Sequence, residues 1–427
     1  MSAIARAPVS PGARGVVAGG AASGPLRIAA LYVMFEEYDF LARQIEAVNG
    51  QTFLDFTFVC VCGHQSDEAR IRAVLDTARV PAVLLKRDRD NGPAGGFWDG
   101  EAWCLSEGYD VVVHVESDCF PLSPRLMERL AESIRGSQVA VPVCMPDGIP
   151  MGWRWCAVRS EVLRQVGLSY RELYFLTEDV YFYRNVTRRH RPVVLTDVSV
   201  YHPPVIEKHA FTDKYLVPFP YLWGRNHMLF PITLVRTHRD LRDAMNFVGY
   251  FASVCVYALH LALRGKGASA RAVLRGIADG LMFRENRILK DRIEAREPDY
   301  PVRETSSFTP DLVLDKQGFD IGTGAIAAAL GSRGKRVLLR RTSQIVLIVC
   351  LFLAEQLAIT DGERTWLLKD RARETPVHVL LFFLVFGLSV ALALPALGIG
   401  LLWSLRSHAT RVPTRSPFPG VAAPLPR

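Results

Sequence analysis

In the first half of the chain, short continuous apolar runs alternate with segments whose apolar positions recur at helical spacing. Continuous runs bounded by turn residues read as strands buried on both faces, and the intervening segments read as amphipathic helices. The pattern predicts strands over Leu26–Val33, Asp55–Cys62, Val80–Lys86, Tyr109–Val115 and Gln138–Val143. Between them it predicts helices over Tyr38–Val48, Ser66–Thr77, Phe97–Glu107 and Ser123–Arg135. Strands and helices alternating at this spacing mean βαβ units and a parallel sheet, so the expected fold class is α/β. From Met151 to His202 the pattern is less regular. Glu178 and Asp179 stand at a predicted helix start, where the helix dipole alone would favour acids. A strand over Val193–Tyr201 then runs into His202-Pro203-Pro204, and the prolines hold the histidine in extended backbone.

One stretch, Asn91 to Pro121, organises the rest. Gly92, Gly95 and Gly96 predict a loop that can turn tightly and approach a ligand closely. Beyond it, a short helix and a valine-rich strand end abruptly at Glu116-Ser117-Asp118. Acids at the carboxyl end of a strand lie where open α/β sheets bind their ligands. Two carboxylates two residues apart there can reach one hard divalent cation.

Beyond residue 205 the chain turns helical and basic. Met245–Leu263 is long enough to cross a membrane, but small and polar residues are scattered through it, which favours a buried or interfacial helix. Two later apolar runs, 345–359 and 377–403, predict transmembrane helices. The first is preceded by the basic segment 333–341 and the second is followed by Arg406, Arg411, Arg415 and Arg427. The positive-inside rule then places both outer flanks in the cytoplasm, making a C-terminal hairpin anchor with residues 360–376 outside. Glu355, inside the first run, is expected to face the partner helix.

Composition adjusts this picture in three ways. Hydrophobic residues make up 49% of the 427, high for a wholly soluble protein, which supports the membrane segments. The net charge of +8 suits an anionic membrane surface; without a basic helix interleaved with aromatics, nucleic acid is not the expected partner. The eight cysteines form no CxxC pair and read as buried thiols in a reducing compartment rather than zinc ligands. Residues 1–25, rich in Ala, Gly, Pro and Ser, read as a disordered tail. The expected divisions are 26–235 as a catalytic α/β domain, 236–342 as a basic membrane-proximal helical region, 343–405 as the anchor and 406–427 as a cytoplasmic tail.

Taken in order, the glycine loop, the strand ending Glu116-Ser117-Asp118, the pair Glu178-Asp179, His202 and the element Tyr221 to Asn226 (YLWGRN) form a recognisable series. In that series the chain resembles the family-2, GT-A-fold inverting glycosyltransferases, especially rhamnosyl- and galactofuranosyl-transferase-like members, over residues 26–230 and more weakly to 285. The resemblance implies a Rossmann-like mixed sheet flanked by helices. It implies a nucleoside diphosphate sugar donor and a lipid-linked or cell-envelope glycan acceptor. It also implies a Mg²⁺ or Mn²⁺ ion held by Asp118, His202 and Glu116, with Asp179 as general base and Glu178 orienting the acceptor. Asn91, Gly95, Gly96, Glu116 and Asp67 are the implied donor-binding residues. The sequence departs from the family at Cys62, where an Asp usually reads the nucleobase, leaving Asp67 as the substitute. It departs again at Glu116, longer than the usual Asp, and at Tyr181, where an acid is usual.

Two other classes stay open. A transferase-like scaffold without activity fits Cys62 and Glu116, whereas Asp118, Asp179 and His202 speak for chemistry. A different nucleotide-binding α/β enzyme, a nucleotidyltransferase or dehydrogenase, is the other. A dehydrogenase needs GxGxxG directly after its first strand, and here MFEEYDF comes after Val33.

Overall fold

The structure is a computed structural model. It describes residues 25–34, 37–89, 92–145, 153–202, 219–284, 303–315, 329–340, 344–360, 365–369, 376–405, 412–414, 416–418 and 421. Asn91 and nearly all of the tails expected over 1–25 and 406–427 lie outside these residues.

The expected α/β class holds. A central eight-stranded mixed sheet runs in the order β3-β2-β1-β4-β7-β6-β8-β5. β1 (Ile28–Val33), β2 (Thr57–Cys62), β3 (Ala82–Lys86) and β4 (Val111–Val115) are parallel. They alternate with α1 (Tyr38–Asn49), α2 (Glu68–Leu75) and α3 (Gly92–Ser106). Their uninterrupted apolar sequence results from burial on both faces. Ile28, Ala30 and Tyr32 of β1 pack on the side of α1, α2 and α4 (Leu126–Gly136). Ala29, Leu31 and Val33 pack on the side of α3.

Past β4 the sheet changes direction. β5 (Phe120–Pro121), β6 (Val139–Met145), β7 (Arg154–Arg159) and β8 (Val193–Tyr201) complete it, with β7 antiparallel to both β4 and β6. β7 lies in the stretch that read as irregular, because its outer ends are the charged Arg154 and Arg159 rather than turn residues. α5 (Ser160–Val166) and α6 (Glu178–Thr187) come after the turn out of β7.

The predicted glycine loop is instead the first turns of α3, which begins at Gly92. This reverses the loop reading of Gly95 and Gly96. A Cβ on Gly96 would lie 2.5 Å from Val33 Cγ1, so the missing side chain lets the helix approach β1 closely.

Below the sheet's carboxyl edge, α3 is joined to β4 by a buried polar network. Glu101 Oε1 accepts from Ser169 Oγ at 2.6 Å and lies 2.8 Å from His114 Nε2. Glu101 Oε2 accepts from the Ser169 N–H at 2.6 Å. All three residues are fully buried.

A helical layer covers the α3 side of the sheet: α7 (Pro220–His238), α8 (Leu241–Leu263) and α9 (Gly267–Leu281). α7 is fastened to the sheet domain at both ends. Near its start, Arg225 Nη1 donates to Glu172 O; near its end, His238 Nε2 lies 2.9 Å from Asn185 Oδ1. Arg188 pairs with Asp243 at 2.7 Å, adding α8 to the tether.

The C-terminal part corrects the predicted hairpin. The apolar run 345–359 is not one helix. It divides into α10 (Gln344–Leu353) and β12 (Gln356–Thr360) at the exposed Glu355. Ten residues of helix reach about 15 Å, half of a bilayer's hydrocarbon. β12 belongs to a second sheet ordered β10 (Leu312–Asp315), β11 (Arg336–Arg340), β12, β13 (Thr365–Lys369), β9 (Arg303–Glu304). β13 lies within the segment 360–376 that was expected to be an external loop. The second run is the helix α11 (Pro376–Ser404). Among the described residues two helices are long and apolar enough to span a membrane; the window in α8 is 72% buried and that in α11 only 17%. α8 is therefore a core helix, as its scattered polar residues suggested, and α11 presents an apolar surface.

Glu101→Leu should destabilise the chain by about 3–5 kcal/mol in urea unfolding, because it strands His114 and the Ser169 donors in the core. A loss below about 1 kcal/mol would mean that neighbouring groups take over the bonds.

Candidate active site

Glu116 and Asp118 occupy a turn just past the end of β4, the first point where the chain leaves the sheet's buried layer. Gln44 Nε2 holds this turn, donating to Cys119 O at 2.7 Å and Glu116 O at 3.3 Å, and Trp155 Nε1 donates to Cys119 O at 2.9 Å. Antiparallel pairing of Phe120 with Tyr201 brings the end of β8 alongside. His202 is the next residue, its N–H donating to Met145 O at 3.0 Å. His202 Nε2 thus lies 3.4 Å from Asp118 Oδ2 and 3.7 Å from Glu116 Oε2.

Among the described residues, these three form a group whose ligand atoms lie within 4.8 Å of one another. Around an octahedral ion with ligands about 2.1 Å away, adjacent ligand atoms lie about 3.0 Å apart and opposite ones about 4.2 Å. Two carboxylates and an imidazole at these separations fit a hard divalent cation. The implied ligands from positions 116, 118 and 202 are brought together.

Arg154, which the sequence did not single out, stands beside them. Its Nε donates to Glu116 Oε2 at 3.2 Å and its Nη1 lies 3.4 Å from Cys144 Sγ. Burial alone would lower the guanidinium's pKa; Glu116, the nearby thiols and Asp179 outweigh it and raise the pKa. That influence also places Asp179 within electrostatic reach of the cluster. The only signal in the sequence was an arginine between two tryptophans, Trp153-Arg154-Trp155.

Glu178 and Asp179 open α6, Glu178 buried and Asp179 half-buried. Asp179 Oδ1 accepts from the Val180 N–H at 2.7 Å, which fixes the carboxylate's rotamer. The backbone leading to them is strained. Tyr174, Leu176 and Thr177 all have positive φ, at 62°, 73° and 69°. Each such non-glycine residue costs on the order of 1–3 kcal/mol and persists only when its surroundings over-determine it. Asn226 does so: its Nδ2 donates to Leu173 O, Phe175 O and Leu176 O at 2.9, 2.8 and 2.9 Å. From the other side, the Ala94 N–H donates to Tyr174 O at 3.2 Å. Gly92, with φ +65°, leaves room for that carbonyl, which would lie 2.3 Å from a Cβ there. The glycines of α3 and the acids of α6 are thus two sides of one contact.

The other predicted donor residues sit at helix starts and a strand end. Gly95 is buried in the first turn of α3, beside Gly96. Arg87 Nη1 donates to Gly92 O at 3.0 Å. Asp67 is the N-cap of α2, with Oδ1 accepting from the Arg70 N–H at 3.1 Å. Cys62 is fully buried at the end of β2. On α3, burial pushes the Asp99 carboxyl up to about 6, against the pull of Arg87, Arg89 and Arg171.

No known protein family and no curated protein matches the chain. Solved structures similar to it include S. aureus TarS 1–349, at 12% identity and TM-score 0.41 over 60% of this chain and 91% of that one. Another is the mannosyltransferase PcManGT from Pyrobaculum calidifontis in complex with GDP-Man and Mn²⁺, at 12% identity and TM-score 0.39 over 62% and 89%. A third is a mycobacterial protein, at 16% identity and TM-score 0.34 over 50% and 74%.

Asn226→Ala removes three hydrogen bonds from a strained turn. Amide exchange over residues 173–177 should quicken by about ten- to a hundredfold relative to the central strands, equivalent to about 1–3 kcal/mol. The raised pKa of Asp99 stabilises the fold fully below about pH 4, and this contribution is lost as pH rises through about 6. Asp99→Asn should therefore gain on the order of 2 kcal/mol over the parent at pH 7 and nothing at pH 4, read by urea unfolding at each pH.

Proposed function

We propose that the chain is a membrane-associated inverting glycosyltransferase that moves a sugar from a nucleoside diphosphate sugar to a lipid-linked or cell-envelope glycan. The observation that carries this is the meeting of Glu116, Asp118 and His202 at the sheet's carboxyl edge, with Asp179 in electrostatic reach through Arg154.

Asp118 and His202 would hold Mg²⁺ or Mn²⁺, and Glu116 would either join them or keep its pairing with Arg154. The ion, when bound, would neutralise the charge that develops on the departing diphosphate. Asp179 accepts the proton of the acceptor hydroxyl as that oxygen attacks the anomeric carbon. The bond to the diphosphate oxygen breaks on the opposite face, so the anomeric centre inverts. Glu178, adjacent and buried, orients the acceptor hydroxyls. The bond from the Val180 N–H keeps Asp179 from rotating away. With Cys62 buried and Asp67 engaged as a cap, the nucleobase is read by other groups.

Membrane association is supported by the exposed apolar surface of α11. A cytoplasmic setting is supported by eight cysteines, none of them in a disulfide.

The test is release of nucleoside diphosphate from a panel of sugar nucleotides with Mn²⁺ and membrane lipid extract. Asp179→Asn should keep donor binding and lose turnover by about 10²–10⁴-fold. Asp118→Ala should instead weaken metal-dependent donor binding. Wild-type turnover in both variants would overturn these roles.

A further inference from the structure

The direction in which α11 runs settles more than its length does. Its inner face is lined by Phe382, Ser389, Ala393, Ala396 and Gly400, all against the helical layer or within its core. Phe382 meets Phe352, which in turn meets His260 near the end of α8. Ser389 hydrogen-bonds Cys255, earlier in α8. Near its far end, Gly400 lies against Ile232, and Ser404 O accepts from Arg236 Nη1. α11 therefore runs antiparallel to α8 and in the direction of α7.

α7 lies along the catalytic domain and is fastened to it at both ends, by Arg225 and Asn226 at one and His238 at the other. A helix that keeps α7's direction runs beside the catalytic domain rather than away from it. If α11 crossed a bilayer, α7 and α8, which pack against it, would be carried to membrane depth. So would Arg271 and Arg275, exposed on α9, which packs against α11. Ionised groups are excluded from such positions unless they face the protein interior. The chain beyond α11 gives independent evidence. Phe418 is buried in the core that includes the sheet, and Val421 O accepts from Trp103 Nε1 on α3 at 2.9 Å. The end of α11 is thus on the catalytic domain's side.

We infer that α11 lies in the plane of one leaflet, its outer face (Leu380, Leu384, Leu388, Leu394, Leu402) sunk among the acyl chains, and that the chain binds one membrane surface without crossing it. The 29-residue helix, about 43 Å long, exceeds the roughly 30 Å of hydrocarbon that a spanning helix needs. Its polar face is supplied by the rest of the protein. Arg242 at the start of α8 and Arg271 and Arg275 on α9 are exposed on the two helices that pack against α11, and suit anionic headgroups. The inference rests on the membrane part of the proposed function alone. Its readouts need no glycosyl transfer, so a chain without transferase activity would still report its depth.

The test uses the full chain with single cysteines introduced at Leu380, Leu388 and Leu402, each carrying an environment-sensitive fluorophore. The native cysteines are buried or half-buried and react slowly. Bound to vesicles of phosphatidylcholine and phosphatidylglycerol, all three probes should be quenched most by lipids brominated at the same shallow depth. A deep probe at position 388 with shallow ones at 380 and 402 would mean a spanning helix and overturn the inference. So would absence of quenching with a stable dimer in solution, since a second copy would then cover the face. The double variant Arg271→Glu/Arg275→Glu should weaken partitioning into these vesicles by roughly tenfold or more with unchanged thermal unfolding. Unchanged partitioning would remove the headgroup part of the inference.

Discussion

Asn226 is the joint on which the site depends. A single amide donates to three backbone carbonyls in a turn that would otherwise relax, since three residues there sit in left-handed backbone. Its own position is set from α7, whose neighbouring Arg225 reaches Glu172 O and Arg284 O. The position of Asp179 is therefore dictated from outside the sheet, by the layer that also carries α11. The sheet supplies Glu116 and Asp118, and the helical layer supplies the geometry of the acid pair. Neither part makes the site alone.

The electrostatics of the cluster are set by where the sheet's burial ends. Both faces of β4 are covered, so its side chains are apolar apart from His114, whose ring nitrogens meet Glu101 and the Cys156 carbonyl. At the edge, the carboxylates of Glu116 and Asp118 meet one imidazole, and Glu116 also meets one guanidinium. Arg154 offsets part of that negative charge from a position that is itself mostly buried. Its presence explains how Glu116, a longer side chain than Asp, is held near Asp118 rather than extended into solvent.

The parallel half of the fold is legible in the sequence because there the periodicity is unmixed. Strands buried on both faces are continuously apolar, and the strand Val193–Tyr201 ends just before His202, where the sequence turns to His-Pro-Pro. The three residues of the metal-type cluster are also legible, since acids at a strand end and a histidine before prolines have a local signature. The parts that escape have none. β7 is a strand with charged ends, and the Glu101–His114–Ser169 network joins positions 68 residues apart. α10 and β12 merge into one run because hydropathy counts apolar residues and cannot see the chain turn at Glu355. The glycines of α3 mislead for a related reason: a helix pressed against a sheet needs small residues just as a ligand loop does.

The bond from Trp103 to Val421 closes a span of 318 residues and bears on how the molecule is made. The core on the α3 side of the sheet draws on residues from Ala29 to Phe418. Domains generally fold as they emerge during synthesis, amino-terminal parts first. Here the first domain to emerge cannot close that face until Phe418 and Val421 leave the ribosome, after α11 itself. Until then Trp103 on α3 lacks its partner at Val421, and the core that Phe418 joins is incomplete.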